Sequence, residues 1–233
     1  MSKVLIIPDL HAPCSRKGAL RFCKDLRNKF QPDKIVFIGD VVDWHSVSFH
    51  AKHPEMPGPK NEYELAKKCI QEWYKAFPKA TIILGNHDRR IVRLAESVNI
   101  PSVCIRNYKE TWETPEWEWV DDLILDEIYF THGDGCGGSL YPAYNMVRKM
   151  GMSCALGHHH TAGGIKWLTN PLRRMFGLDV GSLIDDKTMA FAYNCKQTMR
   201  SFLGAATIKD GHPESIELSC GAGEKYHDSR FTK

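Results

Sequence analysis

The chain has 233 residues, of which 42% are apolar, 25% charged and 10% aromatic, a composition that excludes a disordered or collagen-like chain. Lys and Arg number 31 against 28 Asp and Glu, a net charge of +3; that is too small to imply a nucleic-acid coat, yet compatible with a local basic groove. Its apolar runs fall well short of the ~18 residues of a membrane span and no export signal opens it, so it reads as a cytoplasmic protein without a membrane partner.

Taken in order, Val4–Ile7 is an apolar run that predicts a buried strand. Residues 16–30 carry helical spacing through Ala19, Leu20, Phe22, Cys23, Leu26 and Phe30, and 34–38 form a second strand. Residues 44–60 hold three prolines and three histidines without a period; they read as a long loop, a feature that is more often functional than not in compact domains. A helix follows over 61–77 (Tyr63, Leu65, Ala66, Cys69, Ile70, Trp73, Phe77), then a third strand over 80–84. Apolar runs alternating with amphipathic helices are the pattern of βαβ units around a parallel sheet.

Beyond residue 116 the pattern changes. Trp117–Val120 and Asp122–Leu125 precede a strand over 127–131 as a meander or hairpin, and a helix over 143–150 leads to a strand at Ser153–Leu156. Short strands follow at 165–168, around 176–180 and at 202–208, and Lys209-Asp210-Gly211 is a turn signal into 214–218. Residues 221–233 read as a frayed tail. With no repeat or linker in view, the expectation is one α/β domain over 1–233. The eight cysteines include no CxxC pair, which argues for free thiols rather than a thiolate zinc site. Cys14 and Cys136 lack a local base and read as bystanders.

The chemistry collects immediately after the strands: Asp9-Leu10-His11, Gly39-Asp40-Val41-Val42-Asp43, Gly85-Asn86-His87-Asp88, Thr131-His132-Gly133-Asp134 and Gly157-His158-His159-His160. Loops at the carboxyl ends of strands in an open α/β sheet converge on one crevice. Carboxylate and imidazole donors suit divalent Mn, Fe, Zn, Co or Ni. Asp9, His11, Asp40, Asn86, His132, His158 and His160 make seven candidate ligands, too many for one tetrahedral ion and suited to two octahedral ions sharing a carboxylate. Such a pair activates a bridging hydroxide for in-line phosphoryl displacement.

The series DLH, GDVVD, GNHD, TH and GHHH resembles the calcineurin-like metallophosphoesterase superfamily, whose motifs run D-x-H, GDxxD, GNH[DE], a His and GHxH. The blocks span residues 9–160 in order. The resemblance implies a sandwich of two mixed β-sheets flanked by helices, and two divalent ions with manganese first. It implies that Asp9, His11 and His160 bind one ion, that Asp40 bridges, and that Asn86, His132 and His158 complete the second site. His87 would protonate the leaving oxygen and Asp43 would orient it.

Bland readings stand beside these. Singly, Asp9 and Asp40 read as helix N-caps and His132 as a core histidine; the set together argues against both. His159 should point away from the site. His45, His50 and His53 read as solvated loop residues. Arg89 and Arg90 read either as phosphate binders or as helix-surface arginines. Trp112, Trp117 and Trp119 read as a stacking surface for bases, or in part as core. The superfamily's protein phosphatases carry an Arg after the second Asp of GDxxD, where this chain has Trp44. Small prokaryotic and phage-type members are the nearer likeness, which favours a phosphodiester, nucleotide or nucleic-acid substrate, with a Trp44 that stacks on a base. The alternatives are a broad phosphomonoesterase and a non-catalytic scaffold.

Overall fold

A computed structural model of the chain describes residues 1–49, 52, 54–136, 140–185 and 201–218. β1 (Val4–Ile7), β2 (Lys34–Phe37), β3 (Ala80–Ile83) and β4 (Trp117–Val120) run parallel side by side. β10 (Gly204–Lys209) and β11 (His212–Glu217) extend the far edge antiparallel, giving the order β11-β10-β1-β2-β3-β4. A second sheet, β5-β6-β7-β9-β8, comprises β5 (Asp122–Leu125), β6 (Ile128–Thr131), β7 (Ser153–Leu156), β9 (Arg174–Asp179) and β8 (Gly164–Thr169). Both sheets are mixed, and they face each other.

The alternation of side chains along each strand builds the layers. Val4, Ile6, Val36, Ile38 and Ile83 of the first sheet meet Ile128, Phe130, Ala155, Phe176 and Leu178 of the second in one buried cluster. The opposite phase of the first sheet, Leu5, Ile7, Phe37 and Ile82, packs outward beneath α1 (Ala19–Phe30) and α2 (Pro59–Ala76). On the outer face of the second sheet, α5 (Pro142–Met150) sets Ala143 and Val147 against Cys154, Leu156 and Met175. The sequence expectation of a helix-flanked α/β fold with two mixed sheets therefore holds.

Several local expectations change. Trp117–Val120 and Asp122–Leu125 are not one meander: β4 closes the first sheet, and β5 opens the second as a hairpin with β6. Only Asp121 separates them. Two helices were not foreseen, α3 (Arg90–Ser97) and α4 (Tyr108–Trp112). The 44–60 stretch carries secondary structure: a 3-10 turn occupies His45–Val47 and α2 already starts at Pro59. The Asp210-Gly211 turn forms as read, with φ of 51° and 77° and Lys209 opposite His212. His50, His53 and the expected tail at 221–233 lie outside the described residues. No helix among the described residues is long and apolar enough to cross a membrane.

Candidate metal centre

The parallel strands deliver the motif residues to one place. Asp9 and His11 follow β1, Asp40 and Asp43 follow β2, and Asn86 and His87 follow β3; His132 follows β6, and His158 and His160 follow β7. The carboxyl ends of strands from both sheets thus converge, and all seven expected ligands lie within one connected set of contacts. Asp9, His11, Asp40 and His160 place donor atoms within 4.8 Å of one another, and so do Asp40, His132 and His158. Asp40 belongs to both groups. Asn86 Oδ1 lies 3.0 Å from His132 Nε2, which brings it to the second group.

The backbone gives up comfort to do this. His11, Asp40 and His158 have φ of 48°, 46° and 64°, a left-handed conformation that costs non-glycine residues about 1–3 kcal/mol each and gathers at functional sites. Close approach also dictates two glycines. A Cβ at Gly85 would collide with the Asp40 carboxylate and backbone nitrogen, and one at Gly39, where φ is 104°, would collide with the His132 ring.

Second contacts fix which ring nitrogen is free to bind. His11 Nδ1 lies 2.9 Å from Asp43 Oδ1 and donates to it, and His132 Nδ1 donates to the Ile38 carbonyl at 3.0 Å. Such partners set the tautomer of a metal-binding histidine and leave Nε2 as the donor to the ion. The Nε2 of His11 then lies 3.1 Å from Nε2 of His160. His132 Nε2 lies 3.2 Å from both His158 Nδ1 and Asp40 Oδ2. One proton can satisfy one of these contacts, whereas a cation among them satisfies all. Asp9 Oδ1 is buried without a hydrogen-bond partner among the described residues, a further coordination position. The donor set therefore fits divalent cations.

Charges follow the same geometry. Burial opposes ionisation of Asp40, but His132, His87 and His11 around it outweigh burial and hold its carboxyl well below the usual range. Burial likewise works against a charged His132, and Asp40 and Asp9 overcome it, pushing that imidazole up to about 10. At His158, burial and the neighbouring His132 act together and push the ring down to about 4. A proton and a cation compete for such nitrogens.

The profile of the calcineurin-like phosphoesterases matches residues 2–181. The chain belongs to that family. Along 95% of its length it is 25% identical to the Gene 54 protein of Mycobacterium phage D29 and 24% identical to that of phage L5, covering 96% of each. Among solved structures it is similar to YfcE, a phosphoesterase from E. coli, with a TM-score of 0.50, 13% identity and 93% of each chain covered. At that identity the likeness concerns the fold alone.

Around this calcineurin-like centre lie residues that the motifs did not mark. Asp43 accepts from His11, and its Oδ1 is also 3.2 Å from His87 Nδ1. The backbone carbonyl of Asp43 is the nearer partner of His87, at 2.8 Å. Arg90 is no surface arginine. It is 7% exposed, and its Nη1 donates to the carbonyls of Asp43 (2.7 Å) and Trp44 (3.3 Å), while Nη2 lies 2.9 Å from His87 Nε2. Arg89 instead pairs with Asp121 and the Leu84 carbonyl. Asp88 accepts from Gly85 N–H at 2.8 Å and Val42 N–H at 3.2 Å, tying the GNHD loop to the GDVVD loop. Burial, then the charge of Asp40, pushes its carboxyl up to about 7.

Trp44 does not wait for a base. It is 8% exposed and stacks on Tyr63 at 6.3 Å with Trp112 beside it at 5.5 Å. Trp112 and Trp117 are buried as well, so the expected stacking surface is core; Trp119, half-buried, stacks on Tyr108. His45 is buried too, not solvated. The reason is Glu62 on α2, whose carboxylate accepts from the His45 and Ser46 N–H groups at 2.6 and 2.9 Å and from the Ser46 hydroxyl, pulling this turn into the protein. His159 packs its ring against His158 at 4.9 Å. Cys14 is buried and Cys136 half-buried, and burial pushes the Cys136 thiol up, away from reactivity.

Proposed function

We propose that this chain is a dinuclear, divalent-metal-dependent phosphoesterase that favours phosphodiester or nucleotide substrates. The observation that carries the reading is the pair of donor groups sharing Asp40, each with ring nitrogens that face one another at about van der Waals contact or closer. Asp9, His11 and His160 would hold one ion, manganese first with Fe, Zn, Co or Ni as alternatives. Asn86, His132 and His158 would hold the other, and Asp40 both. Two divalent ions there supply charge neutralisation for a phosphoester and an activated water. The protein's own part is positional. Asp43 and the Ile38 carbonyl keep His11 and His132 in the tautomer that presents Nε2. His87, 4.0 Å from Asp40 across the cluster, is the group for proton delivery to the leaving oxygen. A phosphomonoester is the second reading, and the buried Arg90 guanidinium beside His87 favours it, since a guanidinium suits a dianion.

The test is metal analysis of the purified protein with hydrolysis of bis-p-nitrophenyl phosphate and p-nitrophenyl phosphate. The expected result is about two ions per chain, activity lost on chelation and restored by manganese, and faster turnover of the diester. Asp40→Ala should lose metal and activity together, while Asp43→Ala keeps metal and loses rate. Activity that survives chelation, or an Asp40→Ala protein that retains both ions, would overturn the proposal.

A further inference from the structure

The turn that follows GDVVD hides most of its residues and then presents one ring. His45, Ser46 and Ser48 are buried, and Glu62 holds the first two by their N–H groups. Phe49 comes next and is 58% exposed. A single exposed apolar residue is ordinary on a protein surface, but this ring is held in place. The Arg93 guanidinium sits over it, 5.7 Å from the ring centre, within the range of a cation–π contact. Among the described residues no carboxylate pairs with Arg93; the Lys and Arg ion pairs lie elsewhere.

Position ties the ring to the centre. Arg93 follows Arg90 by three residues on α3, so the two share a face of the helix, about 4.5 Å apart along its axis. Arg90 donates to the carbonyls of Asp43 and Trp44, where the turn begins, and its Nη2 lies 2.9 Å from His87 Nε2. One face of α3 therefore holds both ends of the turn. Arg90 holds the start, beside His87, and Arg93 holds the end, at Phe49. The ring stands on the His87 side of the cluster, about one helical turn out from it. Because both its turn and its guanidinium are anchored, little ordering entropy is left to spend when a ligand meets it.

The chemistry of that side selects a ligand. With a phosphoryl group at the Asp40 cluster and its leaving oxygen turned to His87, whatever the oxygen carries runs out past Arg90. In a nucleotide it carries the nucleoside. A base is flat and gains from an aromatic face whatever its identity, whereas a sugar phosphate or a phosphorylated serine has no flat group to place there. Trp44, which its place after GDVVD suggested for this task, is buried; Phe49, five residues on, is the ring that the fold leaves in solvent.

We propose that Phe49 is the platform on which the base of a nucleotide substrate stacks, with Arg93 as the positioning residue that holds the ring. The inference deepens the phosphoesterase reading and rests on it for the place of the phosphate. Arg93 lies over one face of Phe49, and the exposed side of the ring takes the base. Stacking of this kind tolerates any base, so the platform selects nucleotides as a class over other phosphoesters.

The experiment is isothermal titration calorimetry of the full-length, manganese-loaded protein with the methylenephosphonate analogues of adenosine monophosphate and of ribose 5-phosphate. These ligands resist hydrolysis and differ only in the base. Wild type should bind the adenosine analogue more tightly. Phe49→Ala should weaken that ligand roughly 5- to 100-fold, the range of one base–aromatic stack, and erase its advantage, whereas Phe49→Trp should keep it. Arg93→Met should weaken it less, and should add no further loss to Phe49→Ala, because Arg93 acts through the ring. Melting temperature should hold in each variant. A wild type that binds neither analogue, or both equally, would overturn the platform. So would a Phe49→Ala protein that keeps the preference, or one that loses both ligands and melts earlier. The two readings fail separately: hydrolysis of bis-p-nitrophenyl phosphate by a protein blind to the base removes the platform, and base-selective binding without hydrolysis removes the phosphoesterase.

Discussion

His87 has two neighbours that decide where its proton sits. The Asp43 carbonyl, 2.8 Å from Nδ1, only accepts, so Nδ1 donates. Arg90 Nη2, 2.9 Å from Nε2, only donates, so Nε2 accepts. Burial and the Arg90 charge oppose a second proton on the ring, but Asp40 and Asp43 outweigh them and hold His87 above its usual value. Delivering a proton to a leaving oxygen requires that proton on Nε2, where Arg90 stands. Arg90 therefore restrains the acid that it also positions. His87→Ala should lower turnover by about 10²–10⁴-fold, the range of general acid catalysis, and the loss should be greatest for poor leaving groups. Arg90→Met, which keeps the buried stem and removes the donor, should do the reverse and narrow the gap between alkyl and aryl leaving groups. Parallel kinetics of the two variants on a leaving-group series decide it. A gap that widens in both would mean that Arg90 acts on the substrate rather than on His87.

At the scale of elements, α2 anchors the turn that carries Asp43 and Trp44. Glu62 lies on the buried stripe of this helix with Ala66, Ile70 and Trp73, and its carboxylate serves two N–H groups and a hydroxyl of the turn. Glu62→Ala strands those donors, at about 1–3 kcal/mol for each group left unsatisfied. Melting temperature should fall clearly, and turnover with it as Asp43 loses its seat; a variant with wild-type melting would show the carboxylate to be dispensable. The sequence carries a signal for Glu62, an acid at helical spacing from Ala66, Ile70 and Trp73. The strands were legible because short apolar runs bounded by Gly and Asp have few other readings. α3 is legible as well, since Ile91, Leu94, Ala95 and Val98 keep helical spacing, although the residue it buries is Arg90 and Leu94 is exposed. α4 is five residues long, but Asn107 caps it by accepting from Glu110 N–H, and that spacing was readable. Trp44 was misjudged because no local pattern shows that Tyr63 and Trp112, from distant elements, enclose it.

On the scale of the whole molecule, the two sheets share a buried interface, and α5 closes the outer side of the second sheet against β7, β8 and β9. Asp179, at the end of β9, accepts the Ala143 N–H at the start of α5 at 3.1 Å. Burial, only partly offset by that hydrogen bond, pushes its carboxyl up from 3.8 to about 6. The folded protein thus keeps this proton at pH values where the unfolded chain has released it. Its contribution to stability is full below the unfolded value, declines as pH rises towards about 6, and stays diminished above. Asp179→Asn keeps an oxygen for Ala143 N–H and removes the titration. The difference in stability between the two proteins should therefore grow from pH 4 to pH 7 in favour of the variant, by no more than about 3 kcal/mol, the equivalent of the pKa shift. Chemical denaturation of both proteins in chelator across that range measures it, since every other titrating group is common to the two and cancels. Parallel curves would mean that Asp179 is charged throughout, with the α5 N-terminus compensating its burial.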